Sequence, residues 1–147
     1  MKRHTLIHAG IGVDNPHQYN VTIGTDMGQF SGTVECKPAD YENESKFFGF
    51  ELAELKAEIA YAREKRKYYE AQQRALAEFW IRMAETRCYD MEAFWVKKMR
   101  EQVDILDDKR EFWTTRVEQL KKAYHIKVLT FDSLNKKRNR CEEYNND

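Results

Sequence analysis

Apolar positions in the second two-thirds of the chain recur at alternating steps of four and three. Phe48, Leu52, Leu55, Ile59, Ala62, Arg66, Tyr69, Gln73, Leu76, Trp80, Met83 and Arg87 form one such series, and nine of the twelve are apolar. That spacing keeps a stripe on one face of a helix and is the seam pattern of a coiled coil. It predicts a helix over 45–87 with Ser45 as its N-cap. Carried onward, the same series gives Asp90, Phe94, Lys97, Glu101, Asp104, Asp108, Glu111 and Thr115, with only Phe94 clearly apolar. A shifted series takes over: Val96, Met99, Val103, Leu106, Arg110, Trp113, Val117, Leu120 and Tyr124, eight of nine apolar. A stripe that jumps predicts two helices, with a turn near 87–90 and Asp90 capping the second. The expected form is a long antiparallel helical hairpin over 45–125, coiled-coil-like, in which the numbers of facing residues sum to about 177. The other reading is one continuous helix with a stutter.

Residues 1–44 follow a different rhythm. Thr5–His8 and Ile11–Val13 are β-prone, and Tyr19–Ile23 alternates with period two, as a half-buried strand does. Asp14-Asn15-Pro16-His17 and Gly24–Gly28 are turn clusters, and Phe30–Cys36 follows as a further strand. The pattern predicts a small antiparallel sheet of three strands, which needs a helix or partner to cover it. His125–Phe131 reads as a strand joining that sheet, or as a continuation of the second helix to about residue 140. Residues 126–147 are therefore expected to be a short C-terminal strand or helix ending in a polar tail. The fold class is α+β in one domain.

Breaker residues sharpen the division. All six glycines and both prolines precede residue 50. Charge adds a second contrast. The chain carries 25 basic and 25 acidic residues, but residues 1–44 hold 3 basic and 6 acidic. The two helical segments hold 9 and 7, then 8 and 8. Densely charged, balanced helices suit specific pairing with another protein more than general attraction to polyanions. No apolar run reaches 18 residues, so no membrane span is expected, and the N-terminus makes a poor signal peptide. Cys36, Cys88 and Cys141 form no CxxC pair and read as reduced thiols of a cytoplasmic protein, in the host cytoplasm if viral.

Phe-Trp occurs three times, as Phe79-Trp80, Phe94-Trp95 and Phe112-Trp113. Neighbouring residues on a helix point about 100° apart, so one narrow seam cannot hide both rings. The first two pairs fall level across the hairpin, where an aromatic layer would lock its tip. The remaining rings must face a third element or a partner, which makes these six residues the candidate protein-binding set. Arg66 and Gln73 interrupt the first stripe and Arg110 the second. Arg66 falls level with Glu111, and Asp107, Asp108 and Glu70 lie about a turn off. A polar core layer of Arg66, Arg110 and Glu111, with these acids compensating the arginines, is therefore expected to set register. The basic run Lys136, Lys137, Arg138 and Arg140 is a candidate phosphate contact.

Sites of catalysis are sparse. Gly10-x-Gly12 lacks a third glycine, no phosphate-binding GxxxxGK[ST] occurs, and no serine sits in GxSxG. His4 and His8 would share a strand face, but no neighbouring Cys or carboxylate in sequence completes a metal set. A di-iron site needs Glu-x-x-His, and the only helical histidine, His125, has Lys122 three before it. The sequence therefore points to a protein without enzymatic activity, cofactor or metal. Its expected role is interaction with another protein, as adaptor, inhibitor or regulatory subunit. Small phage or mobile-element proteins that bind host machinery share this general character. The alternatives are a structural subunit of an assembly such as a virion, and nucleic-acid binding through the C-terminal run. A homodimer is expected, since a small sheet covers little of two long apolar stripes.

Overall fold

A computed structural model describes residues 4–85 and 92–145, with side chains described over 4–85 and 95–134. The elements run β1 (Thr5–Ile11), β2 (Gln18–Thr25), β3 (Gly28–Glu35), a 3-10 turn (Pro38–Asn43), α1 (Lys46–Glu85) and α2 (Glu92–Asn145). This is the expected α+β arrangement, a three-stranded antiparallel sheet followed by a helical hairpin.

The period-two pattern of β2 does what it implies. Tyr19, Val21 and Ile23 point to one side and are buried, while the residues between them are not. β3 pairs with β2 in unbroken register, from Gln18 opposite Glu35 to Thr25 opposite Gly28. The tight turn between them needs backbone that few residues adopt, and Gly28 supplies it at φ +106°. Thr25 Oγ1 braces the turn by accepting the Met27 amide at 3.1 Å and donating to the Gly28 carbonyl at 2.8 Å. β1 is one strand rather than the two stretches read from sequence, and its pairing with β2 shifts between Leu6 and His8. One extra residue there reverses the inward and outward sides of everything that follows.

α1 starts where the sequence placed it. The Ser45 hydroxyl accepts the backbone amide of Phe48 at 3.2 Å, satisfying a donor that the first helical turn leaves free. Two stripes on α1 serve two surfaces. Ala53 and Ala57 are fully buried against Tyr19, Val21 and Ile23, with Phe30, Val34, Cys36 and Phe50 packed at the edge of that core. Small side chains on this face let the helix lie directly on the sheet at Gly32. The other stripe is the hairpin seam. From Phe48 to Met83, every member of the first apolar series is buried or half-buried, including Arg66 and Gln73.

By contacts the chain divides into two compact units, 1–61 with 118–147, and 62–117. In the first, Phe48 stacks on Phe131 with centroids 4.3 Å apart, Glu51 pairs with Lys127, and the Lys56 ammonium lies 5.7 Å from the Tyr124 ring centroid. In the second, Lys65 lies 5.8 Å from the Trp113 ring centroid, Lys109 lies 5.6 Å from that of Tyr69, and Gln73 bonds Asp107. Trp80 and Trp95 meet at 6.0 Å. All these pairs lie close to the facing sum expected of an antiparallel hairpin. The turn itself, with Arg87, Cys88 and Asp90, lies outside the described residues.

The strand reading of 126–131 is corrected: α2 runs through this segment without a break. The reason is packing. Val128 and Phe131 continue the seam beyond Leu120 and Tyr124, and Phe131 finds its partner in Phe48 on α1. No break therefore separates 126–145 from the hairpin.

Candidate functional site

The three Phe-Trp pairs resolve by helix geometry. Trp113 is 6% exposed, while Phe112 beside it is 50% exposed. Trp80 turns half-buried into the seam and Phe79 is 50% exposed. Each phenylalanine rests edge-on against its own tryptophan, at 5.3 Å for Phe79-Trp80 and 5.2 Å for Phe112-Trp113. Trp95 meets Trp80 across the seam, and the side chain of Phe94 lies outside those described. The aromatic layer near the hairpin tip is thus a tryptophan pair. Its flank is open: a groove of about 460 Å³ runs along Gln73, Leu76, Trp80, Ile81, Met99 and Val103. The Trp80 indole Nε1 is buried there and has no hydrogen-bond partner among the described residues.

Arg66 pairs at 3.9 Å with Glu70 on its own helix, and Arg110 and Glu111 are exposed. The long Arg66 stem reaches solvent along the seam edge. In the unit 62–117, Gln73 bonds Asp107 across the seam. Lys136, Lys137, Arg138 and Arg140 have side chains outside those described.

In the unit formed by 1–61 and 118–147, a polar network closes one end of the sheet. Asn15 Oδ1 accepts the His17 backbone amide at 2.9 Å. The His17 ring stacks on Tyr41 at 3.6 Å and donates from Nδ1 to both Glu44 carboxylate oxygens, at 2.9 and 3.1 Å. The buried Tyr19 hydroxyl donates to Glu44 Oε1 at 2.8 Å. Burial alone would raise the Glu44 pKa, but the bonds from Tyr19 and His17 outweigh it and hold the carboxyl below its ordinary value. Burial, then the bond to Glu44, pushes the Tyr19 phenol well above its ordinary value. Cys36 is shifted upward by burial and by the charges of Glu44 and Asp40, which favours the protonated thiol. Beside this network lies a cleft of about 300 Å³, with Phe48, Tyr124 and Phe131 among its walls and Glu35, Asp40, Glu44 and Asp132 among its polar lining.

The histidine reading from sequence is corrected at this end of the fold. His4 and His8 do not share a face. His8 pairs with Thr22, whose side is opposite to that of buried Val21 and Ile23, because the shift after Leu6 reverses the alternation. His4 stays on the helix side, and there α1 supplies the carboxylates that the local sequence lacked. His4 Nε2 lies 3.0 Å from Glu54 Oε1 and 3.2 Å from Glu58 Oε1. Sequence reasoning missed these two acids. Their spacing of four is the signal of a shared helix face, but their histidine is fifty residues away.

No known protein family matches this chain, and neither a curated protein nor a solved structure matches it. No described helix is long and apolar enough to cross a membrane.

Proposed function

We propose that this chain is a non-enzymatic, cytoplasmic interaction protein that binds another protein through the aromatic flank of its helical hairpin. One observation carries the reading. In the unit 62–117, Phe79, Ile81, Ile105 and Phe112 are each at least 50% exposed. Single exposed apolar residues are ordinary, but four large ones within one unit, with Ile81 also lining the apolar groove, supply what an interface core requires. The neighbouring tryptophans hold these rings in place, so little side-chain entropy is lost when a partner covers them. Ile105 and Phe112, seven apart, share one face of α2, which suits a second copy of the chain in a four-helix dimer or a partner helix.

The test is affinity capture from the native host with wild type and with the double variant Phe79→Ser/Phe112→Ser. The expected result is one partner recovered by wild type and lost by the variant, with helical content unchanged by circular dichroism. Retention of the partner by the folded variant would overturn the assignment. Light scattering of the same samples reads the dimer directly.

A second reading rests on β1. This edge strand exposes Leu6 at 60%, Ile7 at 49% and Ile11 at 40%, and such an edge accepts a further strand. In that reading the chain is a subunit of a larger assembly. Open-ended growth with concentration, abolished by Ile7→Lys, would favour it over the hairpin interface.

A further inference from the structure

We infer that His4, Glu54 and Glu58 form a binding site for a divalent transition-metal cation of the Zn²⁺ class. Three donor atoms from two distant parts of the chain converge there: the His4 imidazole Nε2 and one carboxylate oxygen each from Glu54 and Glu58, all within 4.8 Å of one another. The imidazole nitrogen lies 3.0 and 3.2 Å from the two oxygens. A tetrahedral zinc ion with nitrogen and oxygen ligands at roughly 2.0–2.2 Å holds its donors about 3.4 Å apart. The two separations from His4 stand close to that spacing, and each needs only a few tenths of an ångström of outward movement for an ion to enter.

Chemistry and placement agree. Imidazole nitrogen and carboxylate oxygen are both ligand types that zinc accepts. Two carboxylates carry the charge of −2 that a divalent ion neutralises. They project from one face of α1, four residues apart, so the helix presets their separation. The side chain of His4 is 8% exposed, that of Glu58 16% and that of Glu54 29%. The histidine is thus fixed in orientation, while the side of Glu54 stays open for a water as fourth ligand. His4 directly precedes β1, so the ion would tie the start of this edge strand to α1. The strand is otherwise held by its pairing with β2, since six of its seven residues are exposed.

The competing account is a proton on Nε2 bridging the same carboxylates, and one experiment separates the two. The full chain, stripped with a chelator and dialysed, is titrated with Zn²⁺ against a chromophoric zinc indicator. Binding of one ion per chain with micromolar or tighter affinity is expected, together with a rise in Tm. His4→Ala and the nearly isosteric Glu58→Gln should each weaken binding at least tenfold, whereas His8→Ala should leave it unchanged. Cobalt(II) gives an independent readout, because visible absorption bands characteristic of low coordination should appear in wild type and vanish in His4→Ala. Absence of binding in wild type, or binding equally tight in both site variants, would show that the cluster holds only a proton.

Discussion

Gly32 of β3 lies against the backbone of Ala53 in α1, with no room for a side chain between strand and helix. A Cβ added at Gly32 would collide with the Ala53 carbonyl oxygen and would stand 2.7 Å from the Ala57 amide nitrogen. The backbone itself is the obstacle, so the clash cannot be relieved by a rotamer change. Gly32→Ala should therefore destabilise the fold by about 1–3 kcal/mol or more, as overpacking of a core does. Gly28→Ala offers the contrast: open space surrounds it, but φ is +106°. Its cost should be conformational, about 1–2 kcal/mol. Urea unfolding of the two variants checks both values, and equal stability of Gly32→Ala with wild type would contradict the close approach.

The division of labour within each Phe-Trp pair should be visible in unfolding energies. Trp113→Ala empties a buried seam position and should cost about 3–5 kcal/mol. Phe112→Ala, one residue away, should cost less than about 1 kcal/mol because the ring is half in solvent. The order is read by chemical denaturation followed at the far-ultraviolet helix signal. If Phe112→Ala proved the more damaging of the two, the assignment of seam and flank would be reversed.

Trp80 adds a finer point. Its indole nitrogen is buried with no acceptor among the described residues, and a donor left unpaired costs free energy. Trp80→Phe removes that donor and keeps most of the ring, so it should stay within about 1 kcal/mol of wild type. Trp80→Ala should be clearly worse. Thermal unfolding of the two variants side by side decides it.

Glu44 gives the fold an acid-sensitive joint. Its folded-state pKa lies below the ordinary carboxylate value, because Tyr19 and His17 donate hydrogen bonds to the ionised form. The sign follows from linkage. The contribution is fully present above the unfolded value, near pH 4.3, and is lost as pH falls toward the lower folded value. Wild type should therefore lose stability below about pH 4.3, and Glu44→Gln should flatten that limb of the curve. The Tyr19 phenol is shifted upward, so its contribution holds below the unfolded tyrosine value near 10 and is lost at higher pH. Denaturant midpoints measured from pH 2 to 11 test both limbs.

Cys36 should be chemically quiet. Burial and the charges of Glu44 and Asp40 raise its pKa, leaving little thiolate near neutral pH. In a Cys88→Ser/Cys141→Ser variant, alkylation by iodoacetamide at pH 7.5 should run slower than that of glutathione. Glu44→Gln should speed it. A rate above that of glutathione would point to an activated thiol.

Periodicity carried much of this architecture on its own. The three-and-four series from Phe48 to Met83 is the hairpin seam, because a helix of 3.6 residues per turn has only one way to bury such a stripe. The alternation of Tyr19, Val21 and Ile23 set which side of β2 faces inward, since a strand turns its side chains over at every residue. Ser45 marked the start of α1 because its hydroxyl can reach the amide three residues on. The facing register of the hairpin followed from the position of the stripe jump. These features depend on residues near one another in sequence, whose geometry the chain dictates locally.

Tertiary structure alone decided the rest. Whether 126–131 formed a strand or extended α2 depended on Phe131 reaching Phe48, a contact between the two ends of the hairpin. The split of His4 from His8 came from the register shift after Leu6, which no local pattern announces. The meeting of His4 with Glu54 and Glu58 required the sheet to lie on α1, and that needed Gly32 opposite Ala53 and Ala57. Composition and spacing therefore determined the elements and their inner faces. Packing between elements determined which charged and polar groups became neighbours, because such groups gain their partners only after the apolar faces have chosen theirs.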